Sequence, residues 1–256
     1  MPIPQPKTPI EVGLVRRASA IAAAVLREAV LTIRPGITTS DLDRTVGSLI
    51  EAKGASSAFF GYRNFPANCC ISVNEGVVHG IGSERRIQYG DLVKLDVGVR
   101  YNGFVGDVAM TIAVGGCSPL AQKLMDVTAD SLYLGIENAR VGKKVSDISR
   151  AIQNHVEANG FSVVREFVGH GVGRSVHEEP QIPNYVDDRY NCRLVPGLTI
   201  AIEPMVNVGS PGVEILSDRW TVVTKDRQLS AHYEHTVLVT DGDPEILTRD
   251  EGKPLY

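Results

Sequence analysis

Residues 35–55 and 141–161 are two versions of one segment. PGITTSDLDRTVGSLIEAKGA, laid over VGKKVSDISRAIQNHVEANGF at an offset of 106, matches Gly36/Gly142, Ser40/Ser146, Asp41/Asp147, Arg44/Arg150, Glu51/Glu157, Ala52/Ala158 and Gly54/Gly160. The apolar face agrees as well, with Leu42/Ile148, Val46/Ile152 and Ile50/Val156. Part of this likeness belongs to any helix opened by a Ser-Asp cap and closed by glycine. The rest marks an internal repeat, which constrains the chain to two similar halves about a pseudo-twofold axis. One more residue of offset lays GDLVKLD (90–96) over GLTIAIE (197–203), with Asp96 on Glu203. Under that symmetry the two carboxylates are equivalent and can face each other. His155, inside the second repeat helix, reads as a solvated helix residue.

Around the repeat, residues 2–9 read as an extended, proline-rich arm and residues 10–32 as a helix stopped at Arg34-Pro35-Gly36. Thr39 or Ser40 caps the next helix, which ends at Gly54. Strands are expected at 69–74, 92–100, 104–114, 198–208, 213–223 and 232–240, and further helices at 120–140 and 146–159. The chain is 43% hydrophobic and 22% charged, which is a globular balance rather than a disordered one. Lysine and arginine are scattered and the net charge is −4, against a nucleic-acid surface. The longest apolar run, residues 20–26, is too short to cross a bilayer, and MPIPQPKTP has no apolar signal core. A cytoplasmic protein is expected, with Cys69, Cys70, Cys117 and Cys192 as reduced thiols.

DLVKLDVGVRYNGFVGDVAMTI (91–112) reads as a β-hairpin turning at Asn102-Gly103. A two-residue loop sets Asp96 opposite Ala109 and Asp107 opposite Gly98. The two aspartates are then diagonal neighbours on one face, backbones roughly 7–8 Å apart, with Gly98 leaving space beside them. A bulge would break this register. Two carboxylates so placed repel each other, and burial worsens this. They share a proton, pair with surface cations, or bind a metal. Glu203 in LTIAIEPMV and Glu234 in SAHYEHTVLVT are further acids inside apolar strands, where carboxylates are rare unless paired or on a metal. With His170 they make a mixed oxygen and nitrogen set, suited to Mn, Fe, Co or Zn and to two ions better than one.

FVGHGVGRSVHEEP (167–180) carries His170 and His177. Val176 stands where a phosphate loop needs its third glycine, and Pro180 with no second histidine excludes a zinc helix. What remains is a loop or edge strand with glycines for close backbone approach, or two histidines of the core. His79, after Val77-Val78 and before Gly80, is placed to line a cleft. His232 shares a strand face with Glu234 and reads as a ligand-orienting or surface residue; His235 points the other way.

The ordered set Asp96, Asp107, His170, Glu203 and Glu234 resembles the five metal ligands of type I methionine aminopeptidases, of peptidase family M24. NCCISVNEGVVHGI, KLDVGVRYNGFVGDVAMT, GHGVGRSVHEEP, IAIEPM and SAHYEHTVLV are similar to that family over nearly the whole chain, in its compact bacterial form. The resemblance implies an α+β pita-bread fold, with pseudo-twofold halves (about 10–115 and 116–248) around a central antiparallel sheet. It makes 10–256 a single catalytic domain behind the arm 1–9. It implies a hydrolase that removes the initiator methionine from nascent chains, preferring a small second residue. Two divalent ions (Co, Mn, Fe, Zn or Ni) would activate a bridging water to attack the first peptide carbonyl. Asp96, Asp107 and Glu234 would hold and bridge the metals, and His170 would bind one. Glu203 would bind that same metal and act as general base. His79 and His177 would contact substrate and steady the tetrahedral intermediate.

By position, Phe59, Tyr62, Phe65, Cys70, Val176 and Trp220 would wall the methionine pocket. Val176 stands where many relatives carry Phe, and Phe59 where some carry Cys. A monovalent cation (Na or K) would lie on backbone groups near Asn74, Gly76 and Ser230. The family acts as a monomer, and N-terminal processing is compatible with a ribosomal partner, although no motif marks one. Two rivals were weighed. An aminopeptidase P or prolidase resembles the same metal set but carries an extra N-terminal domain, for which the segment ahead of Cys69 is too short. A binding protein that had lost catalysis would be expected to have lost ligands, and all five are present.

Overall fold

The computed structural model describes residues 4–249. The ends of the expected arm and domain, 1–3 and 250–256, lie outside the described residues. The first half carries helices α1 (Pro9–Val30) and α2 (Thr39–Ala52) and strands β1 (Ser56–Ser57), β2 (Cys70–Val73), β3 (Leu92–Tyr101) and β4 (Phe104–Ala113). The second carries α3 (Pro119–Glu137) and α4 (Val145–Ala158), then β5 (Ser162–Val163), β6 (Gly169–Gly171), β7 (Glu178–Ile182), β8 (Thr199–Ile202) and β9 (Met205–Asn207). The hairpin β10 (Val213–Ile215) and β11 (Val222–Thr224) follows, then β12 (Ser230–His232), β13 (Glu234–Leu238) and β14 (Glu245–Ile246).

The repeat is structural. An offset of 106 carries α2 onto α4 at both ends. Each opens with an aspartate at the third position accepting from the cap residue's N–H, Asp41 to Thr38 and Asp147 to Lys144. Each closes on a left-handed glycine, Gly54 and Gly160. The cap of α2 is thus Thr38, one residue before the expected Thr39 or Ser40; its hydroxyl bonds the N–H of Asp41. Likewise Thr8 caps α1, so the helix begins at Pro9.

One mixed-length sheet spans both halves in the order β1-β3-β4-β13-β8-β6-β7, with β2 on β3 and β14 on β13. The halves meet where β4 pairs antiparallel with β13. Side chains alternate across each strand. Leu95, Val97 and Val99 of β3 face α1 and α2 in one core, with Val25, Leu26, Leu42, Val46 and Ile50. Ile200, Ile202 and Val237 face α3 and α4 in a second core, with Leu124, Leu132, Ile148 and Ile152. Asp96 and Gly98 therefore point to the opposite face, away from the helices.

The hairpin register is the one expected, Asp96 with Ala109 and Gly98 with Asp107. Gly98 does not leave space: the Phe59 ring fills it, and a Cβ there would come 2.3 Å from that ring. Three expected strands are broken. Residues 198–208 divide at Glu203-Pro204, residues 213–223 form the β10–β11 hairpin, and Tyr233 separates β12 from β13. Proline at 204 removes a donor and ends the ladder. His155 is half-buried, not simply solvated.

Helix α1 crosses β4 at Gly106, where a Cβ would stand 2.3 Å from the backbone of Ser19. A methyl group cannot enter without moving the helix. Gly106→Ala is expected to cost roughly 1–3 kcal/mol, read as a lower denaturant midpoint in equilibrium unfolding.

Candidate active site

Four acids converge on one cavity. It has a volume of about 320 Å³ and is lined by Asp96, Asp107, His170, Glu203 and Glu234, by His79 and His177, and by Phe59, Tyr62, Phe65, Cys70, Val176 and Trp220. Every residue singled out in the sequence for metal, catalysis or pocket is therefore on this one surface. Arg63, Val78, Glu166, Phe167 and Val168 line it too. Of these, Phe167 had a signal, an aromatic leading the glycine-rich stretch; Arg63 and Glu166 had none.

The acids are held by backbone geometry. Asp107 N–H donates to Thr236 Oγ1 across the junction of the halves, and Thr236 donates back to Asp107 O. Glu234 sits at the start of β13, paired with Ala109. Glu203 follows the last residue of β8, and its carbonyl accepts from buried Asn184. One ligand atom each from Asp107, His170 and Glu234 lies within 4.8 Å of the other two. Asp96 Oδ1, Asp107 Oδ1 and Glu234 Oε1 are buried without a hydrogen-bond partner.

His170 lies in β6, between β8 and β7. Its Nδ1 is 2.9 Å from Gly171 O. A carbonyl only accepts, so Nδ1 carries the proton and Nε2 presents a lone pair. That lone pair lies 3.3 Å from Glu203 Oε1. Two electron-rich atoms at this distance need a proton or a cation between them. His232 is fully buried rather than at the surface, with Nε2 3.7 Å from Glu203 Oε2. His235 does point away, toward Tyr133 and Thr248.

Two imidazoles flank this cluster. His177 stands 4.2 Å, ring to ring, from His170 and stacks on Tyr62, whose hydroxyl is 2.9 Å from its Nδ1. His79 has φ 58°, a left-handed conformation uncommon outside glycine, and its ring meets Phe167 and Trp220 edge-on. Burial lowers His170 and His232 to about 3. Burial also takes His79 and His177 to about 4, so all four rings are neutral at pH 7.

The carboxyls move the other way. Burial, then mutual repulsion, raises Asp96, Glu203 and Glu234 well above the usual range, and burial raises Asp107 to about 7. Metal-free, the site would hold protons that ionised carboxylates give up. Hard oxygen donors with one bare imidazole nitrogen fit a divalent cation.

A model of metallopeptidase family M24 matches residues 13–241. A methionine aminopeptidase of Bacillus subtilis is 48% identical over 243 residues, covering 95% of this chain and 98% of that protein. The chain belongs to the methionine aminopeptidases of metallopeptidase family M24. Within that family, the crystal structure of the Thermotoga maritima methionine aminopeptidase superposes with a TM-score of 0.94 at 40% identity, over 97% of this chain and all of that one. The prolidase of Pyrococcus furiosus reaches 0.78 at 24% identity over 95% of this chain and 65% of its own, a likeness of fold alone. The pita-bread expectation is borne out, and the chain is a hydrolase, a metal-dependent aminopeptidase.

The raised carboxyls set a sign. A folded pKa above the unfolded one stabilises below the unfolded value and is lost as pH rises through the folded value. Between pH 4 and 6.5 the depressed histidines oppose this; above 6.5 they are neutral in both states, and the raised carboxyls set the sign, opposed by buried Lys94, whose pKa falls to about 7. Chelated protein is therefore expected to melt at lower temperature at pH 8 than at pH 6.5. Divalent metal added at pH 7 should release protons, measured as buffer-dependent calorimetric heat. Heat independent of the buffer would mean the carboxylates are already ionised.

Proposed function

We propose that this cavity removes the N-terminal methionine from polypeptides, with Asp96, Asp107, His170, Glu203 and Glu234 holding two divalent ions. The 3.3 Å approach of His170 Nε2 to Glu203 Oε1, among partnerless buried carboxylate oxygens, carries the reading. Bound divalent metal would supply Lewis acidity and lower the pKa of water toward about 7. Its chemical identity is left open by a donor set that suits Co, Mn, Fe, Zn and Ni alike.

The chain's own residues do the rest. Glu203 is 12% exposed, open to the cavity, and takes a proton from the attacking water on a carboxylate oxygen. His79 and His177, neutral at pH 7, offer N–H donors to the carbonyl oxygen and amide of the scissile bond, where charge develops. Phe59, Phe65, Cys70 and Val176 are buried side chains of one apolar cluster, edged by Tyr62 and Trp220. A methionine side chain suits such surroundings. His79 and Trp220 meet edge-on on the same cavity surface, ring centroids 6.3 Å apart, and the family likeness implies a small second residue. Nascent chains beginning with Met are the substrates this reading implies, met in the cytoplasm near the ribosome by a monomeric enzyme. Among the described residues, no helix is long and apolar enough to cross a membrane.

Peptides Met-Ala-Ser and Ala-Pro-Ala, offered with added Mn or Co, test the reading. Release of Met from the first is expected. No Met release by metal-loaded protein would overturn it, and Ala released ahead of Pro would favour a prolidase-like activity. In the same assay Asp96→Asn should lose roughly 100-fold or more of the activity together with bound metal.

The monovalent ion implied near Asn74, Gly76 and Ser230 meets a competitor. Lys94 is fully buried, and its Nζ donates to Asn74 O at 2.7 Å and Ser230 O at 3.1 Å. Burial lowers its pKa to about 7, while the charges of Glu75 and Asp91 oppose that. Charged or neutral, the amine offers N–H donors where an ion would offer charge. We read Lys94 as the resident group at these carbonyls. Replacing Na or K chloride by choline chloride should leave activity and melting temperature unchanged. Lys94→Met, which takes the Lys94 donor from Ser230 O at about 1–3 kcal/mol while Asn74 O keeps the Ser230 N–H, should instead gain stability from added Na or K.

A further inference from the structure

Residues 172–177 carry both the Val176 wall of the pocket and the His177 imidazole, yet they lie outside the β6–β7 ladder. That ladder ends at the pair Gly171 and Glu178, after a register shift. Something else must hold the loop. On the sheet side, Val172 N–H donates to Thr199 O and Val105 N–H donates to Gly173 O. These bonds hold the first two residues, and Arg100 Nη1 of β3 donates to Arg174 O at 2.8 Å.

The far end is held from the N-terminal arm. Glu178 Oε1 accepts the N–H of Ser175 at 3.0 Å, and Glu178 Oε2 accepts from Lys7 Nζ at 2.8 Å. Lys7 is nearly covered, its side chain 10% exposed. The arm is itself anchored, since Lys7 N–H donates to Gly197 O at 2.8 Å. The lysine lies directly across Gly173, where a Cβ would stand 2.3 Å from Lys7 Cε and 2.8 Å from both Glu178 oxygens. Glycine at 173 is what lets the arm lie on the loop. Glu11 adds a second, more exposed tie from the first turn of α1, reaching Arg174 at 3.2 Å.

We propose that Lys7 is a positioning residue for the active site, straining no substrate and touching none, but fixing the 172–177 loop through Glu178. With the loop it fixes His177 over His170 and Val176 in the pocket wall. The arm thus helps to set the geometry of the site. The proposal rests on the reading of His177 as a substrate-contacting group. Lys7 is more than a charge on the surface because a single carboxylate bridges it to the loop backbone. Removing the ammonium takes away the loop's tie to the arm and leaves the Glu178 carboxylate with backbone partners only, Ser175 among them.

Three variants of the full chain separate the possibilities: Lys7→Met, Lys7→Arg and Glu178→Gln. Lys7→Met should keep its divalent metal content and melting temperature near the parent's. Its kcat/KM on Met-Ala-Ser should fall about tenfold, since small misplacements of catalytic groups cost up to about 100-fold. Lys7→Arg should restore most of that loss, and adding Glu178→Gln to Lys7→Met should cost little more. Amide hydrogen exchange across residues 173–178 should quicken in Lys7→Met. Exchange needs no turnover, so it tests the tether even if the peptide is not a substrate. Unchanged exchange would overturn the tether. Quickened exchange with parental kcat/KM would overturn the positioning role, as would an activity loss that only tracks lost metal or lost fold. Should Lys7→Met fail to fold, the same exchange and kinetic comparison on Glu178→Gln decides the matter in the same terms.

Discussion

Four carboxyl groups and one bare imidazole nitrogen share the middle of a sheet from which water is largely excluded. Any one of them would be costly to bury alone, and together they repel. Hydrogen bonds do not fully satisfy them: Asp96, Asp107 and Glu234 each keep an unpartnered oxygen, and His170 turns a lone pair toward Glu203. A fold can hold such a group only if its stability is generated elsewhere. Here it is generated twice, by the core under α1 and α2 and by the core under α3 and α4, both on the opposite face of the sheet. The site is then free to be unfavourable until a cation enters it, and that is what makes it bind one.

The symmetry that supplies the scaffold does not supply the site. Gly90 N–H donates to Val114 O, and Gly197 N–H donates to Val239 O, so the two hairpins correspond. By that correspondence Asp96 matches Glu203, but Glu234 matches Ala109 and Asp107 matches His232. Ala109 and Glu234 are paired with each other where the halves meet, so the axis passes between a carboxyl group and a methyl group. The second half also breaks its strands, at Glu203-Pro204 and at Tyr233, where the first half runs unbroken from Leu92 to Tyr101 and from Phe104 to Ala113. By alternation Glu203 and Glu234 fall on the face away from the helices, the face that Asp96 also takes.

How much of this was legible in the sequence divides along the same line. Regular periodicity and a tight Asn-Gly turn give the β3–β4 register to the residue, and the repeat gives α2 and α4 their common frame. The site residues were legible because acids inside apolar strands are costly, and because the surrounding motifs resemble a known family. Interactions between distant segments were not. Nothing local says that Phe59 fills the space over Gly98, that Lys94 reaches Ser230, or that Lys7 reaches Glu178. The broken strands were missed for a related reason. An apolar run such as LTIAIEPMV looks continuous, and where the backbone leaves the ladder depends on what the acid within it must face.

The division of labour between His170 and His177 follows from the second nitrogen of each ring. The rings stand 4.2 Å apart, and both are neutral at pH 7. His170 Nδ1 faces a carbonyl, which can only accept, so its Nε2 must be the bare nitrogen, the form in which imidazole binds a metal. His177 Nδ1 faces the hydroxyl of Tyr62, which can donate as well as accept; with that hydroxyl donating, the ring proton lies on Nε2. In that tautomer one histidine presents an electron pair and its neighbour presents an N–H. Exchange the partners of the two Nδ1 atoms and the roles exchange with them. The chemistry of the pair is written in what lies behind the rings, Gly171 O for one and Tyr62 for the other, rather than in the rings themselves.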